Sequence, residues 1–266
     1  ADTTKERAHL LLIDEPELCL HPDAVRDACR VLYDLPKGGA WQVMVTTHSP
    51  VFLDLARDNT SIVRVERQDH AIIKGTTIFR PTKAALDADD RTMLKMLNVC
   101  DPYVAEFFFG GKTVIVEGDA EYAALKFVIS KSADECFKNL HIVRARGKSC
   151  IVTLCKILNQ FGVDYSVLHD SDKEKIISRR KKKEITNPVW TVNQRILEAV
   201  NSRPNGMRVR LVAIVPNLEE AFFDEDAKDE KPYEAIVKLS STDSAFKSIQ
   251  ALLEGLLDHG KPLPPG

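Results

Sequence analysis

The sequence lacks the features that would mark a membrane-spanning, secreted or cysteine-framed protein. No apolar run approaches the roughly 20 residues that cross a bilayer. Residues 1–7 lack the charged-then-apolar layout of a secretory signal. The six cysteines show no Cys-x-x-Cys spacing, which favours reduced, buried thiols over a disulfide framework or a zinc site. We therefore expect a cytoplasmic protein that makes no membrane contact.

A strong charge of one sign is also missing. The formal net charge is −2 over 266 residues, so any affinity for nucleic acid must come from a local patch. Hydrophobic residues make up 44% and charged residues 29%, which is typical of a globular protein with an ordinary core. The length allows two units of ordinary size.

The pattern of apolar segments predicts an α/β protein. We place the boundaries of its four parts at 1–80, 81–111, 112–225 and 226–266. The first part has the pattern strand, helix, strand, helix and hairpin, with two buried strands at 9–14 and 41–46. The second part is a connector, with short helices predicted at 84–97 and 102–109.

The third part alternates strands and helices at a spacing that predicts a parallel sheet covered by helices. The predicted strands are 113–116, 140–143, 165–168 and 209–215, and the helices are 120–129, 149–158 and 192–200. The fourth part is helical in pattern over 233–258, and residues 259–266 form a disordered end.

Acidic residues follow three of the four predicted strands. Glu117 closes the first strand and Glu121 lies one helical turn later, while Asp170 and Asp172 follow the third strand. The pair at 219–220, two glutamates, follows the fourth. Because ligands gather at the carboxyl ends of parallel strands, these side chains should meet at one edge. Crowded carboxylates need a cation, and oxygen ligands suit Mg²⁺ or Mn²⁺.

The same segments resemble the two motifs of a Toprim domain. These segments are VIVEG at 114–118 and LHDSD at 168–172, and the resemblance extends over about 112–225. It implies a Rossmann-like parallel sheet flanked by helices, with Glu117, Asp170 and Asp172 as metal ligands and Glu117 also active in proton transfer. The added Glu121 and the NLEE segment at 217–220 are more similar to the nuclease branch, and we prefer Glu219 to its neighbour as ligand.

The first part contains motifs that resemble those of ABC-type ATPases. Residues 10–16, LLLIDEP, are similar to a Walker B segment, in which Asp14 would hold Mg²⁺ through water and Glu15 would orient the attacking water. His48, in TTHSP at 46–50, resembles the switch histidine of that class. No Gly-x-x-x-x-Gly-Lys-Ser/Thr loop occurs in the sequence. We therefore expect a C-terminal portion of a longer protein, with ATP bound and hydrolysed only in the full-length chain.

An ABC-type ATPase followed by a Toprim domain resembles the OLD (overcoming lysogenization defect) family of nucleases. That resemblance, over about residues 9–225, implies DNA cleavage with two metal ions, control by nucleotide and a homodimer in the full-length protein. It also implies a role in phage defence or DNA processing.

Three groups of basic residues are candidates for contact with DNA phosphates. Lys148 opens a predicted helix and could bind a phosphate together with the helix N-terminus. Lys231 follows the last acidic pair and could stabilise charge in the transition state; for Lys231, an ordinary surface lysine is an equal alternative. Residues 173–183 contain seven basic side chains and begin beside Asp172, although most such runs are only solvated loops. The predicted DNA contacts within this run are Arg179, Arg180, Lys181, Lys182 and Lys183.

The leading hypothesis is an Mg²⁺- or Mn²⁺-dependent DNA endonuclease with the metal ligands Glu117, Glu121, Asp170, Asp172, Glu219 and Glu220. One alternative is a metal-binding regulatory or DNA-binding module of a DNA-dependent ATPase that cleaves nothing. Primase or topoisomerase chemistry is a third hypothesis, although a topoisomerase needs a nucleophilic tyrosine in a separate domain.

Overall fold

The structure, a computed structural model, describes residues 8–57, 59–68, 72–132, 134–178, 182–223 and 231–263. Its elements run in chain order as β1 (His9–Asp14), α1 (Pro22–Asp34), β2 (Trp41–Thr46), β3 (Ile62–Gln68), β4 (Ile72–Phe79), α2 (Ala88–Cys100), β5 (Lys112–Val116), α3 (Asp119–Lys131), β6 (Leu140–Arg144), α4 (Lys148–Phe161), β7 (Tyr165–Asp170), β8 (Lys175–Ile177), β9 (Glu184–Thr186), α5 (Pro188–Asn201), β10 (Val209–Ile214), α6 (Leu218–Phe223), α7 (Lys231–Ser241) and α8 (Asp243–Leu257).

A four-stranded parallel sheet forms the centre of the molecule. Its strand order is β10-β7-β5-β6, and its central strand β5 is a run of apolar residues, of which Val114, Ile115 and Val116 are fully buried. A strand that is covered on both faces needs such a continuous apolar run. Because all four strands are parallel, their carboxyl ends lie at one edge. The predicted α/β class with a helix-flanked parallel sheet is confirmed.

Helices cover both faces of this sheet. On one face α4 and α5 pack with α2 and with aromatic side chains from the connector, including Phe107 and Phe108. On the other face α3, α7 and α8 form a second core around Leu125 and Leu253. Replacing one such buried leucine with alanine typically destabilises a protein by about 2–5 kcal/mol. The two covered faces hold the sheet rigid, which positions the side chains at its edges.

The N-terminal strands β1 and β2 are less buried than their apolar sequences predict. They pair in parallel as a two-stranded sheet, and Leu10, Leu12 and Met44 are each more than 60% exposed. Alternate side chains of a strand point to opposite faces, and within the described residues only one face of this pair is covered. The expectation that both strands are fully buried is therefore wrong.

The second helix predicted in the first part is also wrong. In its place stands a short 3-10 turn at Pro50–Phe52. The carboxylate of Asp54 then accepts a hydrogen bond from the backbone N–H of Ala56 at 3.0 Å. Such local side-chain bonds compete with helix formation, so the chain turns instead. The connector segment 102–109 is likewise a 3-10 helix.

Two elements near the sheet edge were not predicted. Strands β8 and β9 pair as a small antiparallel hairpin, with β8 inside the basic run and β9 directly after it. Helix α6 follows β10 directly. The predicted DNA contacts Arg179, Arg180 and Lys181 lie outside the described residues. Among the helices that are described, none combines the length and apolar composition needed to cross a membrane.

Candidate active site

The predicted acidic residues meet at the carboxyl edge of the central sheet. The backbone N–H of Asp170 donates to Oε2 of Glu117 at 3.2 Å, which links the ends of β7 and β5. Oδ1 of Asp170 accepts from the backbone N–H of Leu218, the first residue of α6, at 3.0 Å. Asp170 thus lies between the strand that carries Glu117 and the helix that carries Glu219.

The crowding of these acids changes their protonation. Burial and, after it, the charges of Glu121, Glu117, Glu219 and Asp172 together raise the pKa of Asp170 to about 8. Burial also raises the pKa of Glu117 to about 7, although the nearby Lys148 opposes this shift. Carboxylic acids that hold protons near neutral pH are common at functional sites. A cation bound here would release those protons.

Glu121 has both a structural role and a place in the cluster. Its Oε2 accepts a hydrogen bond from the N–H of Gly118 at 3.0 Å, which caps the N-terminus of α3. The residue is only 4% exposed, and burial raises its pKa. The charge of Glu219 raises that pKa too. The predicted convergence of Glu121 with the other acids is therefore present, through a helix cap.

Asp172 reaches the cluster by a different backbone path from the one predicted. The spacing of two residues predicts that Asp170 and Asp172 share one face of an extended strand, but β7 ends at Asp170 and Asp172 has a φ of 59°. Aspartate tolerates this left-handed conformation better than most residues. Its backbone N–H donates to the carbonyl of Pro216 at 2.8 Å. The turn aims its carboxylate at Lys148.

Lys148 is the first residue of α4, and its ammonium bonds Oδ2 of Asp172. Its side chain is 1% exposed. The backbone N–H of the preceding Gly147 donates to the carbonyl of Glu117 at 2.9 Å. This contact holds the start of α4 beside the end of β5. The sequence predicts that Lys148 binds a phosphate, whereas the structure shows its ammonium in contact with Asp172, an acid of the cluster.

The two glutamates of α6 have separate environments. Glu219 is 7% exposed, and neither of its carboxylate oxygens has a hydrogen-bond donor among the described residues. The ammonium of Lys231 lies 3.4 Å from its Oε1. Glu220 instead forms a capping pair with Asn217, with two bonds of 2.9 Å, and contacts Lys173 at 3.2 Å. The geometry favours Glu219 as the member of the cluster.

The side chains fit a hard divalent cation in their chemistry. Glu117, Glu121, Asp170, Asp172 and Glu219 offer carboxylate oxygens, and the two oxygens of Glu219 are buried without hydrogen-bond donors, with only the Lys231 ammonium at 3.4 Å to offset the charge. Among the described residues, no group of three or more acidic, histidine or cysteine side chains is arranged to hold a metal ion.

The basic hairpin begins next to this cluster. Asn187 holds its base, since its Nδ2 donates to the carbonyl of Lys173 at 3.0 Å and its N–H donates to the carbonyl of Glu174 at 2.7 Å. Lys182 and Lys183 lie in the turn that leads into β9. The position of the hairpin is suited to contact with a nucleic-acid backbone that approaches the acids.

The predicted ATPase residues also lie together, at the ends of β1 and β2. The hydroxyl of Thr46 bonds Oδ1 of Asp14. Nε2 of His48 lies 3.2 Å from Oε1 of Glu15. Our sequence reasoning missed Glu17, whose Oε1 accepts from the backbone N–H of His48 at 3.0 Å and from the hydroxyl of Thr47 at 2.6 Å. Its position two residues after Glu15, in a polar loop, was the available signal.

Comparisons with known families agree with this arrangement. The family described as "Overcoming lysogenization defect protein-like, TOPRIM domain" matches residues 108–172, and an AAA ATPase domain matches residues 1–53. The chain thus contains a segment similar to a Toprim domain, preceded by a segment similar to an AAA ATPase domain.

Curated relatives refine that class. An OLD nuclease of Thermus scotoductus (strain ATCC 700910 / SA-01) is 27% identical over 246 residues, which are 90% of this chain and 45% of the relative. The Old nuclease of Escherichia phage P2 is 22% identical over 262 residues, which are 97% of this chain and 42% of the relative. The chain is a homologue of these OLD nucleases and spans less than half of their length. The resemblance predicted from the motifs is confirmed.

Proposed function

We propose that this chain carries the DNA-cleaving site of a divalent-metal-dependent endonuclease. The observation that carries the proposal is the convergence at one sheet edge of Glu117, Glu121, Asp170, Asp172 and Glu219. The names of the curated relatives, OLD nuclease, support the same activity. Together they favour hydrolysis of a phosphodiester over other chemistry.

The five carboxylates would hold two ions, Mg²⁺ or Mn²⁺. When bound, such ions lower the pKa of water and neutralise charge on phosphate oxygens. Asp170 lies where the charges of the other four acids reach it, and its carboxylate would be one of the ligands that hold the ions. Glu117 holds or releases a proton near neutral pH at its carboxylate. Lys148 and Lys231 place positive charge beside the cluster, where it can stabilise a phosphate.

The DNA would approach along the basic hairpin. Lys182 and Lys183, with Arg179, Arg180 and Lys181 in the same run, would contact phosphates and supply affinity without sequence preference. In the full-length protein we expect Asp14, Glu15 and His48 to act on ATP and to control cleavage. We further propose a cytoplasmic homodimer with a role in phage defence or DNA processing.

A second function has one observation in its favour. No metal cage stands ready among the described residues, which suits a regulatory or DNA-binding module of an ATPase that cleaves nothing. Counting bound ions separates the two functions, because cleavage by the proposed mechanism needs two ions held by the acids. Primase or topoisomerase chemistry would show instead as nucleotide incorporation or as relaxation of supercoils.

The test is cleavage of supercoiled plasmid by the 266-residue chain. We expect nicked or linear DNA with Mg²⁺ or Mn²⁺ and none with EDTA. Asp170→Asn should reduce the rate by about 100-fold or more, since loss of a group that stabilises the transition state has effects of this order. The control is Asp164→Asn. Asp164 precedes the first residue of β7, at the end of the strand away from the site, and its carboxylate pairs with Arg208 at 2.9 Å. Equal cleavage by the Asp170→Asn variant and the parent would reject the site.

A further inference from the structure

Lys148 is the innermost cation of the acidic cluster. Its side chain is 1% exposed, whereas the side chain of its partner Asp172 is 32% exposed. The other pair at this edge has the reverse arrangement, since the side chain of Lys231 is 43% exposed and that of Glu219 is 9% exposed. An ammonium is costly to bury without a compensating anion. The contact with Asp172 supplies that anion at the mouth of the site.

The contact also occupies an atom that the proposed metal needs. Oδ2 of Asp172 accepts the bond from the Lys148 ammonium, so a divalent ion that binds this carboxylate would lie close to a positive charge that is already held there. The two cations therefore compete for Asp172.

The exchange has a simple path. Lys148 stands at the first position of α4, on a long flexible side chain, and Gly147 before it holds the backbone in place through its bond to Glu117. Rotation of the Lys148 side chain would separate the ammonium from Asp172 while this backbone contact stays in place. Lysine is suited to this role because its charge is a compact point on a flexible stem.

We propose that Lys148 is an internal counter-ion that a divalent cation replaces on Asp172, so that Lys148 sets the metal concentration at which the site fills. The inference rests on the proposed metal-dependent function. In the metal-free protein the ammonium neutralises Asp172. In the metal-bound protein the cation takes that oxygen and the ammonium moves away from it.

One arm of the test measures metal affinity by calorimetry with Mn²⁺. We expect Lys148→Met to bind Mn²⁺ about tenfold more tightly, a change that corresponds to 1.4 kcal/mol, because no ammonium has to be displaced. The matched control is Lys156→Met on the same helix. Lys156 also pairs with a buried acid, Asp90, which lies outside the cluster, so its affinity for Mn²⁺ should stay within about twofold of the parent. Unchanged or weaker binding by the Lys148→Met variant overturns the inference.

The other arm uses the unchanged protein and needs no variant to fold. A buried, paired ammonium exchanges its protons slowly, so the Nζ signal of Lys148 should be visible by NMR in the metal-free chain and should disappear or shift as Mg²⁺ saturates the site. A signal that stays unchanged at saturation overturns the exchange while leaving metal binding intact. If neither Mg²⁺ nor Mn²⁺ binds at all, the proposed function fails together with the inference.

Discussion

Oε2 of Glu117 accepts a hydrogen bond from the backbone N–H of Asp170 at 3.2 Å. The bond thus joins the end of β7 to the end of its neighbour β5, and both side chains are half-buried at the same edge. This contact ties the geometry of the candidate site to the register of the sheet. The charge of Glu117 raises the pKa of Asp170, whereas the bond from the Asp170 N–H lowers the pKa of Glu117.

Those raised pKa values predict how stability depends on pH in the metal-free protein. The pKa of Glu117 is about 7 and that of Asp170 is about 8, against ordinary values of 4.5 and 3.8. The folded chain therefore binds these protons more tightly than the unfolded chain does. Their contribution to stability is fully present below the ordinary values and is lost as the pH rises through about 7 to 8. We expect the Tm in EDTA to fall over this window.

Thermal unfolding across that pH range checks the prediction. Glu117→Gln and Asp170→Asn should each flatten the slope, because neither amide titrates. Saturating Mg²⁺ should reverse it, since the cation competes with protons for the same oxygens. A metal-free Tm that rises from acid to neutral pH in the parent, and equally in both variants, contradicts the assignment.

The two neighbouring glutamates of α6 should differ sharply when each is replaced. Glu219→Gln removes a buried charge whose oxygens have no hydrogen-bond donor among the described residues. Metal affinity should therefore fall by about tenfold or more, since even the loss of a residue that orients a metal ligand has an effect of this size. Glu220→Gln keeps the capping pair with Asn217, because glutamine serves in the same cap position. Its metal affinity and cleavage should match the parent. Calorimetry with Mn²⁺ and plasmid cleavage measure both, and equal losses in the two variants would reject the distinction.

Much of the central sheet could be predicted from the sequence, because β5 and β7 are apolar runs that end in acids. The convergence of Glu117 and Asp170 follows from parallel strands alone. The pairing of Lys148 with Asp172 could not be predicted, since it joins residues 24 positions apart through a left-handed backbone turn. Local patterns carry no information on such a turn.

The remaining differences also have physical causes. The hairpin of β8 and β9 could not be predicted, because its few apolar residues lie among many charged ones and show no clear alternation. The apolar sequence of β1 predicts burial, but Leu10 and Leu12 are exposed because the strand belongs to a sheet of only two strands. An apolar composition shows that a segment can be buried, whereas the tertiary contacts determine whether its side chains are buried.

Glu17 should stabilise the loop that carries the switch-like histidine. Its carboxylate accepts from the N–H of His48 at 3.0 Å and from the hydroxyl of Thr47 at 2.6 Å. Hydrogen bonds to a charged group contribute about 1.5–3 kcal/mol. Glu17→Ala should therefore speed amide exchange at His48 by about tenfold or more, measured by hydrogen–deuterium exchange. Amides of β7 serve as the internal control, and unchanged exchange at His48 would show that Glu17 does not hold the loop.

Gly111, which precedes β5 at the end opposite the site, should be highly sensitive to substitution. At Gly111 φ is +91°, and an added Cβ would lie 2.3 Å from the carbonyl oxygen of Asn139. That carbonyl accepts from the N–H of Lys112 at 3.0 Å and so begins the pairing of β5 with β6. Gly111→Ala should combine a strained backbone with a backbone clash and destabilise the fold by well over the roughly 1–2 kcal/mol of the left-handed strain alone.

The neighbouring Gly110 allows the backbone strain to be measured without the clash. Its φ is +110°, also a conformation that side chains rarely adopt, but an added Cβ would meet nothing within 4 Å. Gly110→Ala should therefore show the backbone strain without the clash. Urea unfolding of the two variants measures the difference in the free energy of unfolding. We expect Gly111→Ala to be the less stable variant and also to bind Mn²⁺ more weakly, because a shifted β5 displaces Glu117 at its far end. Equal stability of the two variants would show that the close approach to Asn139 does not fix this strand.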